Sequence, residues 1–411
     1  MTSTVITGMG VLAPTGLGAA EHWRNTVAAH CRIGRISRFE PDGYPCRNAG
    51  QIEGFVPEEH LPSRLLPQTD HMTRLALTAA DWAVKDAGLD TGDLPEYAMG
   101  VVTASSAGGF EFGQRELQAL WSKGPAHVSV YQSFAWFYAV NSGQISIRHG
   151  LRGPSGVLVT EQAGGLDAIA QAKRHVTDGI PLMLGGGVDG SPCPWGWVAQ
   201  LTSGRISSTE APERAYLPFD ADADGHVPGE GGALFVMESA QSARARGASV
   251  YGEIAGYAAT FDPPPGSGRP PTLGRAVELA LEQAKLSAAE VDVVFADGAG
   301  TPELDRRESA MLRDLFGPYG VPVTVPKSLT GRLGAGGAAL DLATALLAMR
   351  HGTIPPTANV RPAPEHELDL VVRPRKTAVS TALVLARGHG GFNAAMVIRK
   401  PAGPEGKGGP C

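Results

Sequence analysis

A chain of 411 residues, 43% hydrophobic and 18% charged, is long enough for two closely packed halves and too apolar for a disordered protein. Its formal net charge of −6 argues against nucleic acid as the principal ligand. The four cysteines (Cys31, Cys46, Cys193, Cys411) lack metal-ligand spacing and fit free thiols in a reducing compartment, so no metal site is expected.

In chain order, the strand-like Val5-Ile6 precedes Gly8-Met9-Gly10-Val11-Leu12-Ala13, which fits the loose dinucleotide pattern. No well-placed acidic ribose ligand follows and no helix opens there, so nucleotide binding is set aside. The N-terminus lacks the charged start and apolar run of a signal peptide, and no stretch reaches the roughly 18 apolar residues of a membrane span. A cytoplasmic protein without a membrane partner is expected.

Arg74 to Val84 has helical spacing and leads to the strand-like Met99-Gly100-Val101-Val102-Thr103. In the second half, Arg275 to Leu281 leads in the same way to Val291–Phe295. A second pair repeats as well: Leu166-Asp167 running to Asp178-Gly179, and Leu340-Asp341 running to His351-Gly352, both as Ala-rich helices after a glycine turn. Apolar strands separated by helices predict largely parallel, buried sheets in an α/β fold with internal duplication. Residues 106–136 stand outside the repeat as an insertion, and 401–411 read as a flexible tail.

Between the helical pairs, the apolar run Val157-Leu158-Val159 ends in a small-residue turn, Glu161-Gln162-Ala163-Gly164-Gly165, that opens a helix. Many α/β enzymes present a nucleophile at such a turn, because a helix N-terminus stabilises developing negative charge. The residue at the tip is Gln162, whose amide has no proton to lose near neutral pH.

From Val5-Ile6-Thr7-Gly8-Met9-Gly10 to Gly390-Gly391-Phe392-Asn393-Ala394, the chain resembles the ketosynthase branch of the thiolase superfamily. Glu161-Gln162-Ala163-Gly164-Gly165-Leu166-Asp167 narrows the resemblance to the ketosynthase-β subunit, or chain length factor, of bacterial type II (aromatic) polyketide synthases. The resemblance implies a thiolase-like five-layer αβαβα fold from two duplicated halves, 1–250 and 251–400.

It also locates the reaction centre. Gln162 takes the position of the acyl-carrying cysteine; Asp297, in Asp297-Gly298-Ala299-Gly300-Thr301, and Arg332, in Lys327-Ser328-Leu329-Thr330-Gly331-Arg332, take those of two histidines. Lys327 alone is retained. No catalytic residue is therefore expected. Asp297 and Arg332 are expected to pair with each other, the alternative being two charges that never meet. Arg387, before Gly388-His389-Gly390-Gly391-Phe392, takes the place of an apolar gate residue; His389 reads as a loop imidazole without a proton-transfer role.

A chain length factor implies a heterodimer with a catalytic ketosynthase-α, and an acyl carrier protein as transient partner. No cofactor is expected to bind directly; the carrier's phosphopantetheine arm would enter the complex. The resemblance makes Phe110, Gly113 and Leu117, on one helical face by their spacing, together with Phe134, the wall of an interface tunnel. The aromatic run Tyr131–Tyr138 fits that interface, with packing inside one subunit as the alternative. Room at Gly113 and Leu117 points to a product of about ten acetate units, since a close-packed wall leaves no slack. The enzymatic alternative is a malonyl-carrier-protein decarboxylase acting through Gln162 to make an acetyl primer.

Overall fold

The computed structural model describes residues 3–264 and 266–401. The expected tail lies, except for Pro401, outside the described residues. Apolar runs such as Thr4–Ala13, buried along its whole length, can only be strands covered on both faces. In the first half the strands Thr4–Ala13, Met99–Ala104, Ser155–Leu158, Leu182–Asp189 and Gly231–Ser239 lie in the spatial order third, second, fourth, fifth, first. In the second half Gly252–Phe261, Val293–Phe295, Pro322–Thr324, Thr381–Arg387 and Phe392–Arg399 repeat that order, with Asp369–Leu370 added at the edge.

The strand directions repeat too. In each half the second strand pairs parallel with the third and fourth, while the fifth runs antiparallel to the fourth and first. The two first strands join the halves through Val5–Glu253 and Ile6–Gly252, making one twelve-stranded sheet.

Helices Gly164–Thr177 and Ala335–His351 are packed between the halves; His71–Asp86 covers the outer face of the first and Leu273–Ala284 that of the second. These are the five αβαβα layers. The sequence starts the second central helix at Leu340, whereas the structure starts it at Ala335 with Gly336 and Gly337 in its first turn. The reason is close approach: a Cβ on Gly165 of the facing helix would come within 2.7 Å of the Ala335 carbonyl. Every residue from Ala335 to Met349 is buried, as befits a helix apolar on all sides. The core joining Leu166, Ile169, Phe235, Leu342 and Met396 spans the central layer, each large side chain contributing about 1.5–3 kcal/mol by burial.

The insertion carries helix Phe110–Lys123, a short turn of helix at Gln132–Ala135 and the aromatic run. Among the described residues, no helix is long and apolar enough to cross a membrane.

Candidate functional site

Strand Ser155–Leu158 delivers the chain to Glu161, which adopts a left-handed φ of 49°, and a short 3₁₀ turn then leads into helix Gly164–Thr177. A non-glycine residue in that region is strained and marks a turn held in place by its surroundings. The geometry is that of a nucleophile turn. Its tip, Gln162, is 0% exposed, and neither its amide oxygen nor its nitrogen has a hydrogen-bond partner among the described residues. The side chain lies over Gly337, where a Cβ would stand 2.4 Å from Nε2. Gly337 leaves the room that Gln162 fills.

Four residues later on the same face of that central helix, Asp341 lies 2.6 Å from Lys327 Nζ. Lys327 also donates to the carbonyls of Ala296 (2.9 Å) and Asp297 (3.1 Å). Through Asp341 and Lys327 the helix thus links the Gln162 pocket to the loop that carries Asp297.

Asp297 and Arg332 form the bidentate pair expected from the sequence, with Nη2–Oδ1 at 3.0 Å and Nη1–Oδ2 at 3.1 Å. Arg332 also donates to the carbonyls of Asp297 (3.1 Å) and Arg387 (3.0 Å), and the Arg387 N–H donates to Asp297 Oδ1 at 2.9 Å. Burial opposes ionisation of Asp297, but the Arg332 charge beside it, aided by Lys327, holds its carboxyl below the usual carboxylate range. Burial likewise opposes the Arg332 charge, and Asp297 keeps the guanidinium protonated far above neutral pH. Neither can exchange a proton with a substrate near pH 7. His226, the imidazole beside the pair, is pushed down to about 3 by burial and then by the Arg332 charge, so it stays neutral.

Behind the pair lie two carboxylates that no local sequence pattern marks. Glu308 accepts the backbone N–H groups of Asp297 (2.8 Å) and Gly298 (2.9 Å), and burial followed by the Asp297 charge pushes its carboxyl up. Asp305 accepts from Phe219 (2.9 Å) and Gly300 (3.0 Å), and burial is the main cause of its rise to about 7. Both stand on helix Pro302–Phe316 and anchor the loop that presents Asp297.

In front of the pair an open cleft of about 840 Å³ is lined by Phe110, Glu161, Arg205, Asp297, Arg332 and Arg387, among others. Gln162 does not line it. Arg387 is half-buried at its wall, and its side chain reaches the Leu304 carbonyl at 3.4 Å. His389 is exposed, and its backbone N–H donates to the Glu161 carboxylate at 2.9 Å. Cys193 caps helix Pro194–Leu201 and is pushed up to about 11, chiefly by burial, so it is no thiolate at neutral pH.

The other sequence-selected residues lie on helix Phe110–Lys123 and beside it. Phe110 stacks on Trp195 with ring centroids 4.4 Å apart. Gly113 is buried, and the space it leaves is taken by this chain's own Trp195 ring, 3.1 Å from where a Cβ would be. The room expected from a glycine here is therefore already filled. Leu117 and Phe134 are 37% and 39% exposed, within an apolar surface that includes Trp121, Trp136, Phe137 and Tyr138.

Residues 1–243 match the family of the beta-ketoacyl synthase N-terminal domain, and 251–361 that of the beta-ketoacyl synthase C-terminal domain. The tetracenomycin polyketide synthase ketoacyl synthase beta subunit of Streptomyces glaucescens is 58% identical over 400 residues, covering 96% of this chain and 98% of that protein. A solved ishigamide ketosynthase/chain length factor matches with a TM-score of 0.87 at 28% identity, over 98% of this chain and 100% of that one. A type II polyketide acyl-carrier protein in complex with its ketosynthase, bound to the hexaketide, matches with a TM-score of 0.86 at 26% identity, over 98% and 100% of the two chains.

The chain belongs to the beta-ketoacyl synthase family, on a thiolase-like fold. Within that family it stands among the ketosynthase-β subunits, or chain length factors, of type II polyketide synthases.

Proposed function

We propose that this chain is a non-condensing chain length factor: it completes the tunnel of a catalytic ketosynthase partner and limits how far the poly-β-ketone grows. The observation that carries this reading is the buried Asp297–Arg332 pair, which fills the place of the proton-handling groups beside a nucleophile turn with no nucleophile. An ion pair that satisfies itself leaves nothing to stabilise an enolate.

Several features support a partner. Among the described residues, strand Ser155–Leu158 ends the sheet, pairs on one side only, and has half-exposed apolar residues. An unpaired edge of this kind suits augmentation by a second chain's strand. Trp121, Phe134, Trp136 and Phe137 are all exposed, and aromatic side chains of this kind dominate desolvated contacts between subunits. Phe110, Gly113, Leu117 and Phe134 would form the tunnel wall, within an insertion at 106–136 of the first half (1–250), the second half being 251–400. With Trp195 occupying the space beside Gly113, Leu117 is the residue that leaves length to gain, for a product of about ten acetate units. An acyl carrier protein would deliver extender units on its phosphopantetheine arm, in the cytoplasm.

The geometry favours this over decarboxylation through Gln162, because that amide is sealed from the cleft and no imidazole stands at the pair's position. Co-expression of the chain with its catalytic ketosynthase and carrier protein, followed by mass measurement of the released polyketide, tests the reading. Leu117→Phe is expected to shorten the product, and an unchanged length would refute the tunnel assignment.

A further inference from the structure

Helix Phe110–Lys123 has no capping side chain of its own: Gly109 stands at its N-cap. The cap comes from elsewhere in the fold. Asp70 Oδ2 accepts the Phe112 N–H at 2.8 Å, while Asp70 Oδ1 accepts the Met72 N–H at 2.8 Å and caps helix His71–Asp86. One buried carboxylate therefore ties together the N-termini of two helices, where both dipoles favour its negative charge. The second helix is fixed to the sheet by its buried face, Leu75, Ala76 and Ala79 among others.

The preceding residue is fastened as well. Glu111 Oε2 lies 2.5 Å from Arg38 Nη2, and Arg38 Nη1 lies 3.4 Å from Glu230 Oε2. Glu230 is fully buried at the start of strand Gly231–Ser239, accepts the Ile52 N–H at 2.9 Å and lies 3.0 Å from His71 Nε2. Two successive residues, 111 and 112, are thus bound to rigid parts of the first half. They fall between Phe110 and Gly113, the first two wall positions.

We propose that Asp70 and the Arg38–Glu111–Glu230 chain are positioning residues that fix the seat of helix Phe110–Lys123, and so set how sharply the tunnel's length is defined. The inference rests on the tunnel reading given above. A helix advances about 1.5 Å and turns about 100° per residue. Fraying or slipping by one residue at this end therefore re-aims Phe110 and shifts Gly113 and Leu117. None of the fastening groups touches the growing chain; they act through the wall residues.

The test uses the complete pair with its carrier protein and reads the share of total released polyketide at each chain length. That ratio does not move when folded protein is merely lost. In Asp70→Asn one amide N–H faces a backbone N–H, and the share of the dominant length is expected to fall about twofold or more, with both shorter and longer chains appearing. Glu111→Gln and Arg38→Met, changes at partly exposed side chains, are expected to broaden the distribution in the same sense by less. They decide the matter by the same criterion if Asp70→Asn gives no soluble pair. Leu117→Phe runs as the control, moving the distribution to shorter lengths. A shift with Leu117→Phe but an unchanged ratio in the fastening variants overturns the positioning role and leaves the tunnel reading standing. No shift in any variant removes the tunnel reading and this inference with it.

Discussion

Leaving Asp297 buried without Arg332 is expected to cost more than replacing both partners. Arg332 makes four hydrogen bonds, two to the Asp297 carboxylate and two to backbone carbonyls, from a site where its side chain is 8% exposed. In Asp297→Asn the two carbonyls and one amide oxygen remain while the countercharge is lost, so the expected loss is about 3 kcal/mol. In Arg332→Met the carboxylate keeps the Arg387 N–H but is left as a buried, largely unpaired charge, for an expected loss of about 3–5 kcal/mol. The double replacement Asp297→Asn/Arg332→Met removes both charges and orphans only neutral polar groups. It is expected to be more stable than Arg332→Met alone by about 1–2 kcal/mol. Urea unfolding of the purified chain with its partner, at one fixed protomer concentration, measures all four corners of the cycle. Single variants within about 0.5 kcal/mol of the parent, or a double variant equal to the sum of the singles, would refute the reasoning.

Gln162→Met replaces an amide whose two polar atoms are buried without partners, and is expected to raise stability by about 1–3 kcal/mol in the same assay; a loss would reveal a partner for the amide. Gln162→Cys is expected to restore no condensation to the chain alone, because the Asp297–Arg332 pair and a His226 imidazole held neutral by burial supply no proton to an enolate; formation of a β-keto product would contradict this. Asp305 has its folded pKa raised to about 7, so its contribution is fully present below the unfolded value near 3.8 and is lost as pH rises to about 7. Stability is accordingly expected to decline across that window, and Asp305→Asn to flatten the slope; an unchanged slope counts against the assignment. Val157→Pro, which removes an N–H from the free side of the edge strand, is expected to weaken the heterodimer in size-exclusion chromatography, and undiminished co-elution would move the interface elsewhere.

The candidate site was legible because its positions lie in short local words. The small-residue turn after Val157-Leu158-Val159 singled out Gln162, and the opposite charges of Asp297 and Arg332 anticipated their pairing. The duplication was legible through matched helix–strand runs, since buried strands and helices each impose their own apolar spacing. The supports were harder to read. Glu308 and Asp305 lie on a helix that looks, by its charge, like a solvated one, yet both are buried beneath the loop they hold. Asp70 reaches Phe112 across 42 residues, a contact without local pattern. Asp341 left a signal in the internal repeat: Leu340-Asp341 echoes Leu166-Asp167. Both carboxylates make buried contacts, Asp167 with Thr160 (2.5 Å) and Tyr257 (2.6 Å), and Asp341 with Lys327 (2.6 Å). The space at Gly113 was misjudged because Trp195 comes from a different helix, some eighty positions away.

Intact-mass analysis of both subunits during turnover tests the central claim most directly. With labelled malonyl carrier protein, acyl groups are predicted on the partner's cysteine alone, with this chain unmodified and all condensation lost when that cysteine is replaced. An acyl adduct on this chain, or carbon–carbon bond formation by this chain without its partner, would contradict the account.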